Sequence, residues 1–262
     1  MKIGLSTAAY YGKFETEDAA EHIRRRFDLD CVEVFLETGS EYSAQFASTV
    51  KARLDGLPVT SVHPMGTSYE NSLFGRSPRQ RADAMALVRG VLDAAQTLGA
   101  GIYVYHGNHS AKGTPIEPNF VRYRDGLTQM CREAKQRGVR ICWENVWWCV
   151  MSTPERAEMV RDLYPDIGFV LDVKQAMQGG HDAKAFIPVM GKRLMNIHVV
   201  DYDERGRLCL PGQGTYDFRS FFAALRDVGY DGPVILEPYA TMFERDEELE
   251  AAIAYLRAAM AG

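Results

Sequence analysis

The sequence lacks the patterns that mark secreted, membrane-spanning or zinc-ribbon proteins. Its five cysteines are odd in number and form no C-x-x-C pair, which excludes a disulfide framework and a ribbon-type zinc site. No run of about 18 apolar residues occurs, and the first residues lack the apolar segment of a signal peptide. We therefore expect a cytoplasmic protein with no membrane partner.

The sequence also lacks an excess of basic residues and any internal linker. Thirty Lys and Arg against 35 Asp and Glu give a net charge of -5, whereas a nucleic-acid-binding protein usually carries a basic face. No Pro-rich, Ser-rich or like-charge segment divides the chain. Its 262 residues, 46% of them hydrophobic, suffice for one large core. We expect one domain over residues 1–262 and no nucleic-acid partner.

Short apolar runs rich in β-branched residues alternate with longer amphipathic segments along the whole chain. The runs span residues 2–6, 31–37, 58–63, 101–106, 139–144, 167–172, 194–198 and 233–237. Between them, residues 79–99, 120–138 and 218–229 carry apolar side chains three and four positions apart, which is typical of helices. The alternation predicts strands that are joined by helical crossovers.

Capping residues agree with these helices. Ser77 and Thr153 each precede a proline, as an N-cap precedes proline at the first helical position. Gly99, Gly138 and Gly229 stand where a helix commonly ends in a left-handed glycine.

Eight strand–helix units favour an α/β fold of the (β/α)8 type, a TIM barrel. An open doubly wound sheet is the alternative. That fold normally has a G-x-G-x-x-G turn after its first strand, and KIGLSTAAYYGKF contains none. We therefore expect the barrel.

The last residues of six predicted strands share the ability to bind a metal. They are His63, His106, Glu144, Asp172, His198 and Glu237. Barrel enzymes place their chemistry at the carboxyl ends of the strands, where these side chains would meet. Buried charges must be paired or must coordinate an ion. The alternative to a metal site is a polar layer in which Arg and Lys neutralise the acids.

Five segments, four of which contain one of these residues, resemble the xylose-isomerase-like barrel superfamily. They are ENVWW, LDVKQA, IHVVD, LPGQGTYDF and LEPY, at strands five to eight and the loop after strand seven. The superfamily contains sugar isomerases and epimerases, and also the endonuclease IV family of DNA-repair enzymes. The resemblance spans the whole chain and implies a metal-dependent isomerase or epimerase of a small sugar, sugar phosphate or polyol ketone.

The resemblance implies that Glu144, Asp172, His198 and Glu237 hold one divalent metal. It also implies that Glu144 and Glu237 are the catalytic acid/base pair: one removes a proton beside a carbonyl, and the other returns it. The metal would chelate the substrate and stabilise an enediolate. An oxygen-rich ligand set suits Mn²⁺, Mg²⁺ or Co²⁺, and Zn²⁺ is also compatible.

A further set of residues is expected to bind the carbohydrate substrate. It comprises His63, His106, Lys174, Gln175, Trp147 and Arg205. Lys174 lies two residues past Asp172, so a continued strand would point both into the same mouth. One of Trp147 and Trp148 is expected to form a wall for the sugar. The sequence leaves homo-oligomer formation open.

The loop after the seventh strand has two interpretations. Residues 211–214, PGQG, stand where barrels often bind phosphate through backbone N–H groups. The alternative is a tight turn that delivers Asp217 as the N-cap of the next helix.

The second function that we consider is an endonuclease-IV-like phosphodiesterase acting on abasic DNA, with His63 and His106 as further zinc ligands. Two departures from that family oppose it. Gln175 stands where the family has a histidine, and residues 205–210 contain no Asp-x-His. The epimerases also usually carry a histidine at this position, so Gln175 leaves the substrate open.

Overall fold

Eight parallel strands close into a barrel in the computed structural model, which describes residues 1–109 and 121–262. They are β1 Lys2–Ser6, β2 Cys31–Leu36, β3 Val59–Pro64, β4 Ile102–Tyr105, β5 Arg140–Glu144, β6 Gly168–Asp172, β7 Leu194–Val199 and β8 Pro233–Leu236. Neighbours in sequence pair with each other, and β1 pairs with β8 to close the barrel. The predicted (β/α)8 fold is confirmed, with strand ends within one residue of the predicted positions.

Helices connect the strands on the outside. They are α1 Thr16–Arg26, α2 Ala44–Leu54, α3 Pro78–Leu98, α4 Val121–Gln136, α5 Pro154–Leu163, α6 Val173–Gln178, α7 Ile187–Met190, α8 Phe218–Asp227 and α9 Asp246–Ala261. Residue 120, at the start of the predicted 120–138 helix, lies outside the described residues. Over the two described ranges, we find no helix whose length and apolar character would let it cross a membrane.

The predicted caps are present. Ser77 Oγ accepts the N–H of Gln80, and Thr153 Oγ1 accepts the N–H of Arg156. Gly99 adopts a φ of 82°, the left-handed conformation that ends a helix. These local signals fix where each crossover begins and ends.

The main hydrophobic core lies between the barrel and its helices, and a smaller apolar group fills the barrel interior. The interior group is Ile102, Val104, Cys142 and Val170, with Met195 packed against it. Toward the carboxyl ends of the strands, the interior becomes polar, with Ser61, Asn196 and Glu33 all fully buried. The apolar layer thus forms a floor beneath the polar end of the barrel.

Glu70 ties the loop after β3 to the end of β4. Its Oε2 accepts the N–H of Gly107 at 3.0 Å, one residue past His106. Burial raises the pKa of Glu70 to about 8. In the described ranges, no hydrogen-bond partner faces its other oxygen. Glu70 is therefore largely protonated at neutral pH.

Gly4 allows three strands to approach closely inside the barrel. A Cβ at this position would lie 2.6 Å from Ile235 Cδ1 and 2.9 Å from the backbone oxygen of Cys31. Because the backbone of β2 cannot move aside, we expect Gly4→Ala to lower the free energy of unfolding by about 1–3 kcal/mol. Denaturant unfolding followed by circular dichroism measures this change.

Gly101→Ala is the matched control for Gly4→Ala. Gly101 is exposed just before β4, and apart from its two chain neighbours no atom of residues 1–109 and 121–262 lies within 4 Å of its Cβ position. The Gly101→Ala protein should unfold at the same denaturant concentration as the wild type or at a higher one. Wild-type stability in the Gly4→Ala protein would contradict the close packing.

The raised pKa of Glu70 predicts how stability depends on pH. The folded state binds an extra proton between about pH 4.5, the ordinary pKa, and about pH 8. The stability that this proton provides is full below that window and is lost as pH rises through it. Glu70→Gln imitates the protonated group and does not titrate. From pH 5 to pH 9, we therefore expect its free energy of unfolding to rise on the order of 2–4 kcal/mol relative to that of the wild type.

Denaturant unfolding at several pH values tests this expectation. Glu204→Gln is the control, because it makes the same chemical change at an exposed position on the loop after β7. A constant difference between Glu70→Gln and the wild type across the pH range would show that Glu70 is ionised in the folded protein.

Candidate active site

The six predicted strand-end side chains converge at one end of the barrel. Four of them, Glu144, Asp172, His198 and Glu237, are buried, and one possible ligand atom from each lies within 4.8 Å of those from the other three. His198 Nδ1 lies 3.1 Å from Glu144 Oε1 and 3.5 Å from Glu237 Oε2. The same nitrogen lies 4.0 Å from Asp172 Oδ2. These four groups are close enough to bind one ion together.

His63 and His106 lie beside this group of four. His63 Nδ1 is 3.1 Å from Glu237 Oε1, and His106 Nε2 is 2.9 Å from Glu144 Oε2. The two imidazoles contact each other through their Nε2 atoms, which are 2.8 Å apart. Each histidine therefore contacts one of the two glutamates.

Glu33, in the middle of β2, is buried beneath the cluster. Its Oε2 accepts hydrogen bonds from Ser61 Oγ at 2.7 Å and Asn196 Nδ2 at 3.1 Å, and lies 3.0 Å from His198 Nε2. Because Glu33 holds the Nε2 side of His198, the ring presents Nδ1 to the other acids. Glu33 escapes a search of strand ends, although a single carboxylate within the apolar run CVEVFL is itself a signal.

Glu144 and Glu237 are both held in the ionised form. Burial alone would raise the pKa of Glu144, but the imidazoles of His106 and His198 outweigh it and hold that pKa well below its ordinary value. At Glu237, burial is outweighed by the charges of Lys174 and His198, which lower the pKa to about 2. An ionised carboxylate can accept a proton, so each glutamate can act as a base.

Asp172 is the least compensated acid of the group. Burial raises its pKa, the Lys174 ammonium opposes that effect, and the charges of Glu144 and Glu237 add to it, which brings the pKa to about 7. Asp172 Oδ2 is buried, and the described part of the chain offers it no hydrogen bond. A buried oxygen without a donor, in a group of three carboxylates and an imidazole, fits a hard divalent cation.

The ends of β5 and β6 hold Asp172 in place. Asn145 donates its Nδ2 to the backbone oxygen of Asp172 and accepts the N–H of Asp172 on its own Oδ1, at 2.9 and 2.7 Å. Asp172 Oδ1 accepts the N–H of Gln175 and caps α6. Since Oδ1 is used for the cap, Oδ2 is the oxygen that faces the cluster.

Lys174 reaches the cluster from the first turn of α6. Its Nζ donates to Glu237 Oε2 at 3.2 Å and lies 3.6 Å from Asp172 Oδ2. The predicted continuation of the strand past Asp172 is wrong, because the backbone becomes helical at Val173. Lys174 is nevertheless buried at the mouth.

A cavity of about 360 Å³ opens above the cluster. His63, His106, Glu144, Lys174 and Glu237 form its polar floor. Its walls include the aromatic side chains of Tyr11, Phe35, Trp148 and Tyr239. The volume lies at the small end of the range for ligand sites, so the cavity suits a small molecule.

The two tryptophans after β5 have different surroundings. Trp148 lines the cavity, whereas the Trp147 side chain is 48% exposed outside the lining. The backbone N–H of Trp147 donates to Gln175 Oε1 at 3.4 Å, and Gln175 lines the cavity. Substrate binding by Trp147 and Gln175 stays a prediction.

The loop after β7 uses its backbone donors internally, on the carboxylate of Asp201. The N–H groups of Tyr202, Gly212, Gly214 and Tyr216 all donate to Asp201, at 2.8 to 3.2 Å. Because the glycine N–H groups of the PGQG segment are already bonded to a carboxylate, they do not form a free phosphate site.

The observed loop agrees with the tight-turn interpretation. Asp217 caps α8 by accepting the N–H of Ser220 at 3.0 Å. Arg205 lies exposed on the turn of a small hairpin that pairs Asp201–Tyr202 with Leu208–Cys209, outside the cavity lining. Substrate contact by Arg205 stays a prediction.

Residues 23–259 match the family model described as xylose isomerase-like TIM barrel. The D-psicose 3-epimerase of Ruminiclostridium cellulolyticum is 23% identical over 259 residues, which cover 92% of this chain and 85% of that protein. The family match extends over β2 to β8, the strands that carry the cluster.

Solved structures share the same architecture. A crystal structure of D-psicose 3-epimerase in the presence of D-fructose aligns with a TM-score of 0.81 and 19% identity, covering 100% of both chains. The IolI protein, with a bound zinc atom, aligns with a TM-score of 0.75 and 19% identity over 100% of this chain and 97% of that one. The closed barrel and the family match over most of its length show that this chain belongs to the xylose isomerase-like TIM barrel family.

Proposed function

We propose that the chain is a divalent-metal-dependent isomerase or epimerase of a small sugar or related polyol ketone. The observation that carries this proposal is the pair of ionised glutamates, Glu144 and Glu237, which line one cavity and both contact His198. Related proteins named as sugar 3-epimerases, such as the D-psicose enzyme, support the reaction class. Proton transfer beside a carbonyl needs two such groups, one to remove the proton and one to return it.

The two glutamates would divide the proton transfer between them. One carboxylate takes the proton from the carbon next to the carbonyl and becomes a carboxylic acid. The other, protonated from solvent or substrate, gives a proton to the opposite face or to the neighbouring carbon. The first acid then returns its proton to solvent, so protons balance over one turnover.

Glu144, Asp172, His198 and Glu237 would hold the metal, and Mn²⁺, Mg²⁺ or Co²⁺ suits this donor set, with Zn²⁺ compatible. When bound, the ion supplies positive charge that stabilises negative charge developing on the substrate oxygens. The zinc in the related IolI structure supports a metal in this family. Glu33 would keep the His198 ring in the orientation that this site needs.

The cavity walls match the surface of a monosaccharide. His63 and His106 place imidazole nitrogens at its floor, where they can exchange hydrogen bonds with sugar hydroxyls. Aromatic faces, such as those of Trp148 and Tyr239, can pack against the C–H surface of a sugar ring. A small polyhydroxylated ketone satisfies both parts of the lining.

We further propose that the substrate is not phosphorylated. Asp201 occupies the loop N–H groups that could have bound a phosphate, and Arg205 lies outside the cavity lining. Lys174, the ammonium on the floor of the cavity, already pairs with Glu237 and Asp172, so its charge is not free to bind a dianion.

The phosphodiesterase alternative is not favoured. The zinc-ligand histidine that such enzymes place three residues after the β6 aspartate is Gln175 here, and the net charge of -5 opposes binding to a polyanion. The two D-psicose 3-epimerases compared above are named for sugar epimerisation and not for nuclease activity.

The proposal is tested with purified protein, Mn²⁺ and a panel of free ketoses and their phosphate esters in deuterated water. We expect turnover of a free ketose, with solvent deuterium incorporated at the carbon that changes configuration or oxidation state. Glu144→Gln and Glu237→Gln should each lower kcat by about 10²- to 10⁴-fold, because an amide cannot accept the proton.

Metal content measured on each variant separates lost proton transfer from a lost ion. Glu158→Gln is the control, because Glu158 is exposed on α5, away from the cavity, and should keep wild-type turnover. Product that carries no deuterium, or full activity in either active-site variant, would refute the proton-transfer mechanism. Preference for the phosphate ester would refute only the substrate assignment.

A further inference from the structure

Lys174 places a permanent positive charge inside the proposed metal site. Its side chain is 5% exposed, and its Nζ lies 3.2 Å from Glu237 Oε2 and 3.6 Å from Asp172 Oδ2. Both acids are proposed metal ligands. The ring of Tyr239, which lines the cavity, lies 4.7 Å from the same ammonium. Lys174 therefore contacts two acids of the cluster from the cavity side.

The ammonium neutralises acids that would otherwise repel each other. Four carboxylates, those of Glu33, Glu144, Asp172 and Glu237, are buried together. Lys174 is the only lysine or arginine that forms an ion pair with any of these four acids in residues 1–109 and 121–262. The remaining compensation comes from imidazoles, which are charged only when protonated. Without Lys174, the metal-free cluster would carry more uncompensated negative charge in a low-dielectric site.

A divalent ion bound by Glu237 and Asp172 would lie next to the same ammonium. Two cations a few ångströms apart repel strongly in a buried site. An oxygen that donates its electron pair to the ion also interacts less with the ammonium. The lysine stem has four flexible carbons, so its ammonium can leave an acid without disturbing the backbone.

We propose that Lys174 is an internal competitor for the metal, which holds Glu237 and Asp172 in the metal-free protein and releases them when a divalent ion binds. This inference rests on the proposed metal dependence. It predicts that the wild-type protein is stable without metal and that its metal affinity is lower than the ligand set alone would give.

The test is calorimetric titration of MnCl₂ into metal-stripped wild-type, Lys174→Met and Lys174→Arg proteins. Methionine keeps an unbranched side chain of similar length and removes the charge, so Lys174→Met should bind Mn²⁺ about tenfold more tightly or better. Lys174→Arg keeps the charge and should remain close to wild type. Lys184→Met is the matched control, because Lys184 pairs with Asp182 in a partly exposed position away from the cavity.

Thermal unfolding gives an independent readout. Metal-stripped Lys174→Met should melt below the wild type, and saturating Mn²⁺ should raise its Tm by more than it raises the wild-type Tm. If the stripped variant does not fold, chelator competition on the Mn²⁺-loaded proteins gives the same comparison of affinities.

Each outcome decides the inference without any sugar assay. Equal Mn²⁺ affinities in Lys174→Met and the wild type overturn the competition but leave the proposed function standing. Weaker binding in Lys174→Met shows that the lysine supports the metal and also overturns it. No Mn²⁺ binding in any variant overturns both the competition and the metal dependence.

Discussion

The site depends on the neutralisation of four carboxylates that the barrel buries at one end. Glu33, Glu144, Asp172 and Glu237 come from strands far apart in sequence, and each would be costly to bury alone. Imidazoles and the Lys174 ammonium compensate Glu33, Glu144 and Glu237, and the pKa of each of these three acids is lowered. Asp172 keeps a pKa of about 7 and an oxygen without a hydrogen bond in the described structure. This residual need for positive charge is the physical basis of the proposed metal site.

The barrel can be predicted from the sequence because apolar periodicity and helix-capping residues determine each strand and helix from residues close together in the chain. The helix boundaries, for example, follow from single residues. Ser77 and Thr153 begin helices by accepting backbone N–H groups, and Gly99 ends a helix in the left-handed conformation. The strand-end rule then predicts which residues meet, because parallel strands in a closed barrel end on the same side. The four residues of the cluster and the two histidines beside it follow from that rule alone.

The strand-end rule does not find residues that lie elsewhere in the chain. Glu33 lies mid-strand, and its role appears only when Ser61, Asn196 and His198 surround it. Glu70 lies on a short helical loop and becomes important through burial, which no local pattern reports. The direction of Lys174 depends on where α6 begins, and that boundary is set by the Asp172 cap.

The barrel is a frame that this chain shares with its family, and the side chains at the strand ends provide the chemistry of the site. The family match and the fold comparisons establish the frame, Lys174 compensates the buried acids, and the proposed selectivity for an unphosphorylated substrate rests on the Asp201-bonded loop. Specificity therefore depends on side chains and loops that are attached to the strand ends.

Anomalous diffraction from crystals grown with Mn²⁺ tests the central claim most directly. The account predicts one strong peak at the manganese edge, bound by Glu144, Asp172, His198 and Glu237 at about 2.0–2.3 Å. A structure at saturating Mn²⁺ with no peak among these four residues, and with Lys174 still paired to Glu237, would contradict it.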